Sequence, residues 1–336
     1  MNASKSLINT DIDYEREGFQ VGHLRIPNSR DRSAYGQIPV PVVVLSHGRG
    51  PTVLLTGGNH GDEYEGPVAL MKLIQRMPEM QINGRLIVIP ALNFPAFLNG
   101  SRTSPIDGAN LNRVFPGARN GKITEMIAHY VDTELFPRAD VILDLHAGGA
   151  SFNHLPTLLA ALPGDPARHG EYLRLVQAFA APRTMILDLL GEDRTYGAAA
   201  ERHGKLFLGG EFGGGAVCGI DSLAIVEAGV GRVLHALGVT TGEAPLPGPE
   251  TRLIKVEGEG HYLYAPASGV FEPCFLVGEE VRAGQLAGRL FDPHAPWEAP
   301  RELHFQKAGL AVCVRTFAGV EPGDCIALLA ADARWQ

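Results

Sequence analysis

The chain has 336 residues, 45% hydrophobic and 20% charged, which allows one large enzyme domain plus a smaller module and leaves disorder for the termini only. Its formal charge of -8 comes from interspersed acids, and no basic cluster recurs, so the footprint of a nucleic-acid or anionic-membrane binder is missing and a small-molecule ligand is expected. The opening MNASKSLINTDIDYEREG lacks an apolar core of signal-peptide length and no later apolar run reaches bilayer length, so a cytoplasmic location is expected. Four scattered cysteines, Cys218, Cys274, Cys313 and Cys325, make no CxxC pair; reduced, mostly buried thiols are expected rather than a disulfide framework.

In chain order, residues 38–57 (IPVPVVVLSHGRGPTVLLTG) hold two β-branched runs around a glycine turn and read as strand, turn, strand. The loop GGNHGDEYEG comes next, then a helical pattern from Pro67 to Met77 with a proline suited to a first turn. RLIVIPAL reads as a buried strand, Ile123 to Leu135 as an amphipathic helix, and VILDLHAGG as a strand running into a glycine loop. Beyond these, YLRLVQAFA is helical in spacing, TMILDLL is short and apolar, Thr195 suits the cap of a helix starting YGAAAERHG, and KLFLGGEFGGG is a further strand ending in glycines. This alternation predicts an α/β fold, a sheet with helices on its faces.

After about residue 245 the texture changes. TGEAPLPGPE is a Pro/Gly-rich linker, and the remainder of the chain alternates short strands with glycine turns. The expected division is a catalytic domain over 1–245 and a β-rich C-terminal domain over 250–336. APASGVFEPCFLVGEEVRAGQLAGRL has the rhythm of a small barrel or biotinyl-like sandwich, but no hairpin carries an attachment lysine, so a structural or capping role is expected.

His60 with Glu63, His146, and Glu211 each stand at the carboxyl end of a predicted strand beside glycines, the edge where open α/β sheets bind ligands. A catalytic zinc needs three protein ligands and one open position, and two imidazoles plus a carboxylate are a common set. A bare HxxE is weak, since a histidine near an acid is usually only solvated; the strand-loop context sharpens it toward metal ligation by His60, Glu63 and His146. Asp144, two residues before His146, shares its face and either holds the imidazole N–H or makes ordinary backbone hydrogen bonds. Glu211, in GGEFGGG, is either a general base and then acid, or a turn cap. In NGSRTSPIDGANLNRVFPG, Arg102, Asn112 and Arg113 can grip a substrate carboxylate or stabilise an oxyanion, the alternative being ion pairs with surface acids; for Arg119 the surface reading is preferred. His154, His203, His261 and His304 are read as packed or surface histidines.

Together, GGNHGDEYEGP, NLNRVFPG, DLHAGG and GGEFGGG resemble the succinylglutamate desuccinylase and aspartoacylase family, relatives of the zinc carboxypeptidases, over about residues 50–215. The resemblance implies a carboxypeptidase-like mixed sheet flanked by helices, a smaller all-β C-terminal domain that narrows the cleft, one Zn(2+) per chain, and hydrolysis of the amide of a small N-acyl amino acid. By position it gives His60, Glu63 and His146 as zinc ligands, Glu211 as catalytic glutamate, Asn112 and Arg113 as the pair holding a substrate carboxylate, and Arg102 as the arginine that polarises the carbonyl. The interval from Arg102 to Arg113 is longer than in the aspartoacylases proper, a departure that weighs against an aspartate-type substrate. The texture looks closest to the branch that deacetylates N-alpha-acetyl-L-2,4-diaminobutyrate in ectoine breakdown; its side-chain amine would call for an acid such as Asp188, Glu192 or Asp193, each otherwise a solvated surface group. The alternatives are a metallocarboxypeptidase acting on short peptides and a catalytically silent zinc-binding module. A homo-oligomer is expected.

Overall fold

The computed structural model describes residues 5–187 and 192–335. Its spine is a mixed sheet in the order Gly18–Pro27, Gln37–His47, Gly84–Ile89, Thr52–Gly57, Val141–His146, Leu206–Glu211, Thr157–Ala160, Arg183–Ile186, Arg252–Lys255. The two runs of residues 38–57 are strands, as their β-branched content predicts, but they do not pair with each other. Gly84–Ile89 lies between them, antiparallel to the first and parallel to the second. Thr52–Gly57, Val141–His146 and Leu206–Glu211 are mutually parallel, so their carboxyl ends share one edge.

Alternation along these strands divides the core into two layers. Val53, Leu55, Leu143 and Leu208 face helices α1 (Glu65–Arg76), α4 (His169–Phe179) and α6 (Ile220–Ala236). Leu54, Ile142 and Ile87 face α3 (Ile123–Tyr130) and α5 (Tyr196–Arg202). Short α2 (Phe94–Asn99) ends in the left-handed residue Gly100. The helix expected to run to Leu135 continues beyond Tyr130 as a wider π-helical turn over Val131–Leu135. There the Thr133 hydroxyl takes the His129 carbonyl at 2.7 Å, competing with the backbone for it. Thr195 caps α5 as expected, accepting the Ala198 N–H at 3.1 Å.

Residues 252–332 are β-rich. A four-stranded sheet (Arg301–His304, Leu286–Phe291, Gly269–Pro273, Gly319–Val320) closes over Phe271, Phe275, Leu290, Phe305 and Ile326, with strands Gly309–Arg315 and Cys325–Asp332 on the other side. This part is stitched to the main sheet. Arg252–Lys255 lies parallel to Arg183–Ile186 and antiparallel to Cys325–Asp332, and Gly309–Arg315 pairs with Phe152–His154. Among the described residues no helix is long and apolar enough to cross a membrane. Of the four thiols only Cys313 is buried; Cys218 and Cys274 are exposed, because they stand on loops rather than in either core.

Candidate active site

The shared sheet edge carries the chemistry. The chain leaves Thr52–Gly57 into GGNHGDEYEG, where Gly61 passes so close to α2 that a Cβ there would lie 2.0 Å from the Ala96 carbonyl carbon. That close approach turns His60 and Glu63 back over the sheet. His146 ends the neighbouring strand, and Glu211, the last residue of the next, stands directly opposite it in register.

His60, Glu63 and His146 are buried together, with one ligand atom from each within 4.8 Å of the others. His60 Nδ1 lies 2.6 Å from Glu63 Oε1, and His146 Nδ1 lies 2.9 Å from Glu63 Oε2. The far nitrogens face acceptors: His60 Nε2 donates to Asn110 Oδ1 at 3.1 Å, and His146 Nε2 donates to Asp144 Oδ2 at 2.8 Å. Each ring is therefore held from behind at Nε2 by an acceptor, which orients its Nδ1 toward Glu63. Burial alone would raise the Glu63 carboxyl, but the two imidazoles outweigh it and hold it far below the usual carboxylate range. Burial likewise opposes charge on His146, and Asp144 and Glu63 outweigh it, holding this histidine well above its ordinary value. Two imidazole nitrogens and a carboxylate converging in a buried pocket, each held from behind, fit a zinc ion with an open position.

Around this cluster, buried acids hold the loops. Asp62 Oδ2 accepts the Ala150 N–H at 2.7 Å, and Glu63 Oε2 that of Ala147 at 3.1 Å, tying the turn after His146 to the turn before α1. Gly149 there has φ +55°, with its Cα hydrogens against the Asp62 carboxylate. Glu65 Oε1 accepts the Gly219 N–H at 3.1 Å and so holds the loop that comes after Glu211. Asp144 also takes the Thr56 hydroxyl at 2.7 Å and the Asn59 amide at 2.9 Å.

Glu211 Oε2 is buried and has no hydrogen-bond partner among the described residues. Burial first, and then the charge of Glu63, push its carboxyl up to about 8. A buried carboxyl oxygen without a partner, on a group of raised proton affinity beside the cluster, is what proton transfer needs, and no hydrogen bond among the described residues supports the turn-capping alternative. Arg102 also reaches the cluster, its guanidinium 3.4 Å from His60 Nδ1 and 3.8 Å from Glu63 Oε1, with the side chain half exposed. Asn112 and Arg113 stand one turn further out. Asn112 Oδ1 accepts the Tyr196 N–H at 2.8 Å, while Arg113 lies exposed against the Asn112 carbonyl at 2.6 Å.

Sequence reasoning passed over Asn110, Thr56, Asn59 and Tyr196. Asn110 stands inside NLNR, two residues before Asn112, and its Oδ1 accepts the Asn112 N–H at 2.9 Å as well as the His60 ring N–H. The signal available was an asparagine beside a glycine turn, which is too common to single it out. Of the acids expected for a substrate amine, Asp188 lies outside the described residues, and both Glu192 oxygens are engaged by Arg194, at 2.9 and 2.7 Å. His203 sits 3.2 Å from Asp132 and His304 is exposed, while buried His261 accepts the Glu257 N–H; none joins the ligand cluster. Arg119, read as pairing with surface acids, is half-buried and donates instead to the Lys5 carbonyl and the Asn120 side-chain oxygen, away from the cluster.

Residues 49–237 match the succinylglutamate desuccinylase/aspartoacylase catalytic domain. The N-alpha-acetyl-L-2,4-diaminobutyric acid deacetylase of Halomonas elongata is 39% identical over 325 residues, covering 97% of this chain and 95% of that one. Among solved structures, the product-bound ectoine utilization protein EutE (DoeB) of Ruegeria pomeroyi aligns with a TM-score of 0.93 at 38% identity, over 97% of this chain and 99% of that one. An aspartoacylase family protein of Mesorhizobium loti aligns at 0.85 with 31% identity, over 99% and 100%. With the catalytic-domain match spanning more than half of the sequence and these relatives aligned nearly end to end, the chain belongs to the succinylglutamate desuccinylase/aspartoacylase family.

Proposed function

We propose that the protein is a zinc-dependent amidohydrolase that removes the acetyl group from N-alpha-acetyl-L-2,4-diaminobutyrate, releasing acetate and the free diamino acid. The observation that carries it is the buried His60–Glu63–His146 cluster with Glu211 beside it, one of whose carboxyl oxygens has no hydrogen-bond partner among the described residues. The full-length likeness to a deacetylase of that substrate supports the choice of acyl amino acid.

One zinc per chain, held by His60, Glu63 and His146, would supply Lewis acidity toward the acyl oxygen and acidify water at the open position. Glu211 takes a proton from the attacking water and returns it to the departing amine as the C–N bond breaks, so the proton count closes within one turnover. Its raised proton affinity suits the second half, and a cation nearby lowers it for the first. Arg102, adjacent to the cluster yet half open to solvent, stabilises negative charge developing on the acyl oxygen. Arg113 and Asn112 hold the substrate carboxylate. The exposed guanidinium of Arg113 is free to move off the Asn112 carbonyl onto a better acceptor.

We also divide the chain into a catalytic part, 1–245, and a β-rich part, 250–336, that narrows the approach. Support comes from Thr316, whose backbone and hydroxyl hydrogen-bond Ser151 and Ala150 beside the His146 loop. A cytoplasmic location suits a small polar substrate, and the homo-oligomer is open to light scattering.

The test is amine release from N-alpha-acetyl-diaminobutyrate, N-acetylaspartate, N-succinylglutamate and a set of dipeptides, with and without a chelator. Chelator-sensitive release from the acetylated diamino acid, at least tenfold above the others, is expected. Cleavage of dipeptides alone would move the protein to the carboxypeptidases.

A further inference from the structure

Tyr196 is fully buried at the start of α5, packed edge-on against Phe115 and Phe136, and the catalytic reading gives it no part. Its two polar groups point to the two halves of the site. Its hydroxyl lies 3.2 Å from Thr56 Oγ1, which in turn lies 2.7 Å from Asp144 Oδ1; the other Asp144 oxygen takes the His146 ring N–H at 2.8 Å. The Thr56 hydroxyl is the donor at this junction: its single hydrogen faces Asp144 Oδ1 at 2.7 Å, the tyrosine oxygen at 3.2 Å and the Leu143 carbonyl at 3.4 Å, so Tyr196 lies on the far side of the group that Asp144 holds. The tyrosine hydroxyl keeps its proton, because burial and then the charge of Asp144 push its pKa well above the ordinary value. On its other side, the Tyr196 backbone N–H is the donor that holds the Asn112 side-chain oxygen at 2.8 Å. That contact fixes the Asn112 side chain through its Oδ1.

We propose that Tyr196 is a positioning residue for both halves of the site: its hydroxyl, through Thr56 and Asp144, fixes the ring of His146 for metal binding, and its backbone N–H fixes Asn112 for the substrate carboxylate. This rests on the reading of His146 as a zinc ligand. The two duties are separable, because replacing tyrosine by phenylalanine removes only the first. A ligand held through such an outer chain loses on the order of tenfold or more in metal affinity when the chain is cut. Acting in series, Tyr196 and Thr56 must also show non-additive losses.

The experiment measures zinc affinity by competition with a chromophoric chelator, together with kcat and KM, for Y196F, T56V, T56S, the Y196F/T56V double variant, N112A and H146A. Expected are about a tenfold loss of zinc affinity in Y196F with unchanged KM, a similar loss in T56V, recovery in T56S, and a double variant no weaker than T56V. N112A should do the reverse, raising KM while zinc affinity holds. Wild-type zinc affinity in Y196F, or losses in Y196F and T56V that multiply in the double variant, would overturn the proposal. H146A separates the two levels: loss of zinc there supports the ligand reading whatever Y196F does, and retention of zinc there removes both. Melting temperatures of the metal-free forms guard against misfolding, and T56S keeps the row testable should Y196F fail to fold.

Discussion

Glu63 illustrates how one buried carboxylate organises a site. Its two oxygens face two imidazoles and a backbone N–H, so it is saturated, whereas Glu211, one strand away, keeps an oxygen with no hydrogen-bond partner among the described residues. Two carboxylates in one pocket are thereby pushed apart, Glu63 held ionised by its partners and Glu211 driven toward the protonated form. Glu211→Gln keeps the shape and removes only proton exchange. We expect it to retain zinc at one equivalent while kcat falls about 10²- to 10⁴-fold, measured by metal analysis and amine release on the same sample. Near-normal turnover would take Glu211 out of the mechanism. Arg102→Ala, at a half-exposed position, should leave the melting temperature unchanged and lower kcat by about 10²-fold; an effect confined to KM would assign this arginine to binding instead. The residues we assign as ligands could be singled out in the sequence because His60 and Glu63 stand in a glycine loop after an apolar run and His146 ends such a run before glycines, a pattern few surface histidines share. Asn110, Thr56 and Tyr196 were not, since their roles depend on which side chains the sheet brings opposite them, and no local spacing encodes that.

At the scale of elements, the carboxyl ends of three parallel strands hold the site, and the loops between them are held by acids reaching across from neighbouring turns. Glu65, the first residue of α1, shows the principle. It is buried, its Oε1 caps the Gly219 N–H before α6, and the Oε1 lies 2.3 Å from where a Cβ on Gly213 would stand, so the loop after Glu211 can approach it only as glycine. Glu65→Ala should destabilise the fold by about 2 kcal/mol through the lost partner and cavity, and lower kcat with little change in KM, while Glu65→Gln, which keeps the acceptor, should stay near wild type. Equal kcat in the two variants would show that the loop does not need this tether. Strand Phe152–His154 offers a pH-dependent counterpart. Burial pushes His154 down to about 4, so it enters the fold neutral. An unfolded chain binds a proton on this residue at its ordinary value near 6.5, so stability is complete above that value and is lost as pH falls from 6.5 toward 4. The loss is at most about 3 kcal/mol, less where the ring still meets solvent. Urea midpoints at pH 7 and pH 5 should differ less in His154→Gln than in the wild type, and an identical pH dependence would show that this histidine is not excluded from protonation.

On the whole-molecule scale, the sheet is wider than alternation of strands and helices predicts. The α/β part was readable because its strands carry β-branched runs and its helices carry period and caps; the attachment of the tail was not, because pairing between residue 183 and residue 252, or between 154 and 313, leaves no local mark. The change of texture near residue 245 is real in composition, yet the two parts share strands. Arg252–Lys255 covers the edge of Arg183–Ile186, and Gly309–Arg315 covers Phe152–His154. Met185 is buried against Ile254, Leu310, Val312 and Ala330, all supplied from beyond residue 250. Cutting the chain at residue 245 would therefore bare two strand edges and this apolar cluster while keeping every residue assigned to catalysis. Exposed edges of that kind recruit other chains, and the loop after His146 would lose its contact with Thr316. A fragment of residues 1–245 should accordingly aggregate on purification or melt well below the full chain, and show no turnover even when loaded with zinc. A soluble, monomeric fragment with wild-type kcat would mean that the β-rich part is only appended to a catalytic unit complete without it.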